Sequence, residues 1–91
     1  MTAAWPYGVL QRFERELLAW IVAWAPYGGA PDDETFPEFG LSATEVTDRA
    51  TRLVCQRIGG EIPTPRADRA LVAQAWMALQ HTGAIVRRQQ P

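Results

Sequence analysis

The sequence contains no lysine and no asparagine, and only one cysteine, one serine and one histidine among its 91 residues. A single cysteine, Cys55, excludes an intramolecular disulfide. One cysteine and one histidine also fall short of the three or four ligands that a zinc site needs. Covalent catalysis calls for a nucleophile, a base and a charge stabiliser held together; this inventory is too poor to supply them, so no enzyme is expected. No glycine-rich phosphate loop follows a strand pattern, and no cofactor site is expected. The longest apolar run, Leu17 to Ala25, is far short of the roughly 20 residues that cross a bilayer. The opening MTAAWPYGVLQRFERE lacks the basic stretch that precedes the apolar core of a secretory signal. These absences predict a cytoplasmic protein with no membrane partner. Nine arginines against ten acids leave a formal charge of −1. That balance gives no global field for nucleic acid, so any DNA contact must rest on a local patch.

What the chain does have is apolar content and helical spacing. Hydrophobic side chains make up 47% of the residues, enough for one small domain of modest stability that would gain from a partner subunit. The spacing predicts an all-α bundle of about four helices, near 9–25, 32–38, 42–58 and 65–82. In the first, Leu10, Phe13, Leu17, Trp20, Ile21 and Trp24 recur at three- and four-residue steps, the signature of a buried face. Pro26, Gly28 and Gly29 end it. Asp32, Asp33 and Glu34 suit the first turn of a second helix, where acid meets the positive end of the backbone dipole. They lack the alternation of a calcium loop. Pro37 falls inside this helix, which is therefore expected to start late or to form a single distorted turn.

The third helix is expected to open on Ser42 as N-cap with Glu45 as its capping-box partner. It then buries Val46, Ala50, Leu53 and Val54, and ends at Gly59-Gly60. Glu45 with Arg49 and Asp48 with Arg52 are spaced for ion pairs on its exposed side. Cys55, among Leu53, Val54 and Ile58, is expected to be a small buried hydrophobe. The fourth helix is expected to take Thr64 as N-cap and Pro65 as first residue, to bury Leu71, Val72, Ala75, Trp76 and Leu79, and to stop near Gly83. His81 lies where an imidazolium would favour the helix dipole. The tail 84–91 is expected to fray into disorder.

Two functions fit this pattern. The stretch EFGLSATEV, Glu38 to Val46, reads as a helix-turn-helix corner: Phe39, Gly40, Leu41 and Val46 match its centre, while Phe36, Pro37 and Arg49 depart from it. A DNA-reading third helix would face the major groove with Ala43, Thr44, Thr47, Asp48 and Thr51. Arg49 and Arg52 would reach phosphates, joined by Arg57, Arg66 and Arg69. Glu45 and Asp48 would repel those same phosphates. The second function is protein interaction. Four tryptophans, Trp5, Trp20, Trp24 and Trp76, are many for so short a chain, and tryptophan is enriched where partners bind. The face of Leu17, Trp20, Ile21 and Trp24, with Trp76, would dock a protein partner or a second copy in a homodimer.

The segments LQRFERE and GAPDDETFPEFGLSATEV resemble a family of small actinobacterial helix-turn-helix-like proteins. The matching positions are Phe13, Glu14, Arg15, Gly29, Ala30, Phe39, Gly40, Leu41, Ser42, Ala43 and Thr44, in the first half of the chain. An all-arginine basic set is expected of GC-rich coding sequences such as those of actinobacteria and their phages. The resemblance implies a helix-turn-helix-like domain acting in transcription. This chain departs in a longer first helix, in lacking paired tyrosines after the Ser-Ala-Thr stretch, and in an apolar helix around Trp76 where the family has a basic one.

Overall fold

The computed structural model describes residues 9–60 and 62–83. It contains four α-helices and, among the described residues, no strand: α1 (Arg12–Trp24), α2 (Asp32–Phe39), α3 (Ala43–Ile58) and α4 (Arg66–His81). The predicted all-α bundle is thus the observed one. The tail 84–91 and Trp5 lie outside the described residues.

Local chemistry accounts for most of the boundaries. The backbone N–H of Gln11 donates to Glu14 Oε1 at 2.8 Å and opens α1. Pro26 then tightens the chain into a 3-10 turn, Ala25–Tyr27, and Gly28 at φ 84° closes it. No residue with a Cβ adopts that backbone cheaply. Helix α2 is a full eight-residue helix despite Pro37, which corrects the late start or single turn expected for it. Its ladder begins early, with Thr35 N–H donating to the Pro31 carbonyl at 3.0 Å. Pro37 falls two residues before the last one, so its missing N–H removes a single bond to Asp33. Gly40, at φ 70°, accepts the left-handed turn that ends the helix. Helix α4 starts one residue later than expected: Pro65 is the N-cap and Arg66 the first residue. Thr64 instead accepts from the Arg57 guanidinium on its hydroxyl, at 3.4 Å, and from Arg69 Nε on its carbonyl, at 3.1 Å.

Helices α1, α3 and α4 pack against one another, while α2 lies against α3. The last residue of α2, Phe39, reaches α1 through edge-to-face contacts with Phe13 and Trp20, at ring separations of 5.9 and 5.3 Å. The core holds Leu10, Leu17 and Leu18, then Val46, Ala50, Leu53 and Val54 from α3, and Val72, Ala75 and Leu79 from α4. Ala50 and Ala75 are wholly buried, and their small side chains let the helices approach closely.

Three expectations about burial need correction. The buried stripe of α1 is Leu17 and Leu18, continued by Ala25 of the 3-10 turn, whereas Phe13 is 44% exposed and Trp20, Ile21 and Trp24 are only half-buried. The helix is turned so that its aromatic flank meets α2 and solvent. On α4, Leu71 and Trp76 flank the core rather than fill it. Cys55 is exposed: it stands about 100° round the helix from Val54, beyond the face that the core covers. Neither ion pair expected on α3 forms among the described residues. Glu45 is instead drawn back to the Ser42 backbone N–H, at 3.0 Å.

One long-range tie joins the start of the described chain to α4. Asp68 is buried, and its Oδ2 accepts from the Leu10 backbone N–H at 3.1 Å while its Oδ1 accepts from Arg15 at 3.0 Å. Burial pushes the Asp68 carboxyl up. The Leu10 N–H, the Arg15 guanidinium and the charge of Arg57 together outweigh that and hold it below the ordinary aspartate value.

Candidate functional site

The N-terminus of α3 is closed by three hydrogen bonds between side chains and backbone N–H groups. The Glu45 N–H donates to Ser42 Oγ at 3.1 Å and the Glu45 carboxylate accepts from the Ser42 N–H, the reciprocal capping box read from the sequence. A second carboxylate contact was not legible: Asp32 Oδ1, from the start of α2, accepts from the Ala43 N–H at 2.7 Å. Two negative groups therefore sit on the positive end of the α3 dipole. Replacing Asp32 by alanine is expected to destabilise the fold by about 1 kcal/mol, the usual cost of a lost cap. Urea denaturation would measure it, and amide exchange at Ala43 should quicken in the same variant.

Beside this corner opens a groove of about 310 Å³, with Trp20, Ile21 and Trp24 of α1 on one side and Ala43, Thr44, Thr47 and Asp48 of α3 on the other. Val46 and Leu79 reach its floor from the core. Gly28, Gly29, Ala30 and Thr35 form one end, and Thr82 and Gly83, at the end of α4, complete the lining. Such a volume lies at the small end of the roughly 300–1,000 Å³ found for ligand pockets. Trp20 and Trp24 stand 5.9 Å apart at a tilt of 44°, and Tyr27, 76% exposed, extends the aromatic surface by an edge contact with Trp24 at 5.6 Å. The indole N–H of Trp20 is buried and has no hydrogen-bond partner among the described residues, an arrangement that costs about 1–3 kcal/mol.

The structure thus divides the residues singled out from sequence along a different line from the one expected. Four positions assigned to DNA contact, Ala43, Thr44, Thr47 and Asp48, share one concavity with three assigned to a partner interface, Trp20, Ile21 and Trp24. Arg49 and Arg52 lie round the helix, where with Leu17, Phe13 and Leu53 they border a separate depression of about 280 Å³. Thr51 and Trp76 line neither. The sequence offered no signal for Thr35, Leu79, Thr82 and Gly83, because their place in the groove depends on how α2 and the end of α4 meet α1.

Charge is sharply segregated. No arginine occurs between Arg15 and Arg49, and residues 32–48 carry Asp32, Asp33, Glu34, Glu38, Glu45 and Asp48, all exposed. Among the described residues, the only ionisable side chain in the groove lining is that of Asp48. Two helical C-termini, those of α4 and of the 3-10 turn after α1, also line it, and such ends present partial negative charge. Among the described residues no group of histidine, cysteine and acidic side chains is placed to hold a metal. No helix there is long and apolar enough to cross a membrane.

The chain matches no family model, no curated protein and no solved structure.

Proposed function

We propose that this chain is a non-enzymatic interaction module that holds a segment of a protein partner in the groove between α1 and α3. The observation that carries this reading is the aromatic and aliphatic lining of Trp20, Ile21, Trp24 and Leu79 beside the small polar rim of α3. Apolar floors with a few polar groups at the edge are the usual form of a recognition site. Half-buried tryptophans are suited to it, since they bring large contact area with little side-chain entropy to lose.

The helix-turn-helix reading, with duplex DNA as partner and a role in transcription, draws less support. Its recognition surface would be Ala43, Thr44, Thr47, Asp48 and Thr51 with Arg49 and Arg52 as phosphate contacts, yet residues 32–48 carry six exposed carboxylates and no arginine, and Arg49 and Arg52 border a different depression. The N–H groups at the start of α3, which would otherwise serve phosphates, already hold Asp32 and Glu45. Duplex binding depends on neutralising phosphates, and this face repels them.

The exposed native cysteine makes the test direct. A benzophenone maleimide is placed at position 47, as Thr47→Cys in a Cys55→Ser background, and compared with the same label on native Cys55, which lies outside the groove. Irradiation in host lysate should give a discrete protein adduct from position 47 alone, lost when Trp24 is changed to alanine. Equal adducts from both positions would overturn the proposal. So would salt-sensitive duplex DNA binding that Thr47→Arg strengthens.

A further inference from the structure

We infer that the segment held in this groove is cationic, with an arginine that stacks on Trp20 and Trp24 and pairs with Asp48 beside an aliphatic anchor. The inference rests on the interaction reading above and names the chemistry of the partner. Three features of the site converge on it. First, among the described residues Asp48 is the only ionisable one that lines the groove with the two indoles, and it is exposed. Second, the positive end of α3 at this rim is offset by the carboxylates of Asp32 and Glu45, whereas the C-terminal ends of α4 and of the 3-10 turn, which also line the groove, add partial negative charge. No basic residue stands in the last turn of α1 or of the 3-10 turn, and the last turn of α4 carries His81 alone. Third, the surrounding stretch from Glu16 to Asp48 carries seven acids and no base, so an approaching cation is attracted before contact.

Arginine fits these features better than lysine does. Its planar, weakly hydrated guanidinium stacks on an aromatic face while its edge donates to a carboxylate. The groove also has an aliphatic wall, from Ile21, Val46 and Leu79, which favours a hydrophobic side chain next to the cation. An acidic segment would meet repulsion at the rim, and a purely apolar one would leave Asp48 unused.

The test uses the whole chain and two fluorescein-labelled decapeptides, one alternating arginine and leucine, the other glutamate and leucine. Fluorescence anisotropy should show binding of the basic peptide alone, weakening as salt rises. The indole N–H resonances of Trp20 and Trp24 should shift with it. Asp48→Asn should weaken binding about fivefold, in the range of an exposed ion pair, and Asp48→Arg should weaken it further. Glu38→Arg, the same charge reversal outside the lining, should do much less. Circular dichroism checks that each variant is folded. Equal binding of both peptides, or an equal loss from Asp48→Arg and Glu38→Arg, would overturn the inference, the second by reducing it to diffuse attraction. Self-association that fills the groove with a second copy, seen by sedimentation and abolished by Trp24→Ala, would overturn it as well. The cross-link at position 47 reads the broader proposal separately: an adduct there with no preference for the basic peptide leaves the interaction module standing and removes only its arginine.

Discussion

Replacing Asp68 by alanine is expected to cost about 3 kcal/mol, the lower part of the range for breaking a buried ion pair, because Arg15 stays half exposed and can return to water. The loss has two parts. The Leu10 N–H, in a buried hydrogen bond with Asp68 Oδ2, is left without an acceptor, and the tie that fixes the chain before α1 to the start of α4 disappears. Asp68→Asn should cost about half as much, since an amide oxygen can still accept from Leu10 but brings no charge to Arg15. Acid makes the prediction sharper. The folded Asp68 carboxyl titrates below its unfolded value, so in acid the unfolded chain takes up a proton that the folded one resists. The stabilisation is present above about pH 4, the unfolded aspartate range, and is lost as pH falls through the lower folded value. Urea midpoints of the native chain and of Asp68→Asn should therefore converge over the interval from about pH 4 down through that lower folded value. A gap that stays constant over that interval would show that the carboxylate charge does not hold the tie.

The parts of this fold that were legible in the sequence are those decided within a few residues. The box between Ser42 and Glu45, the break at Pro26 and the glycine turn at Gly40 all rest on neighbours three or four positions apart, and each forms as read. The parts that were not legible depend on distant groups. Asp32 caps Ala43 across eleven residues, and Asp68 receives Leu10 across fifty-eight. No spacing rule reaches so far, and both acids had a sufficient local explanation or none. The groove was half legible for the same reason. Its residues were singled out as two rival sets, and only the packing of α1 on α3 puts Trp20 and Trp24 opposite Thr47 and Asp48.

The second large effect is expected at Leu18, and it separates the observed orientation of α1 from the one its periodicity suggests. Leu18 is wholly buried in the core, while Phe13, which shares the three- and four-residue spacing with Trp20 and Trp24, is 44% exposed. Leu18→Ala should cost about 3–4 kcal/mol, transfer and cavity terms together. Phe13→Ala should cost about 1 kcal/mol, chiefly its edge contact with Phe39. In a domain of this size each kcal/mol lowers Tm by about 4–8 °C, so calorimetry distinguishes the two easily. The opposite ranking would mean that the aromatic flank, not the Leu17–Leu18 edge, faces α3 and α4, and the groove would then be closed. The observed ranking carries a functional consequence. A helix with both an aliphatic and an aromatic flank can spend only one on the core, and three-helix packing around Ala50 and Ala75 selects the aliphatic one. Trp20 and Trp24 are left half-buried on the side where α3 begins, beside Asp48. Trp24→Ala should accordingly impair binding far more than stability, whereas Leu18→Ala should do the reverse until the domain unfolds.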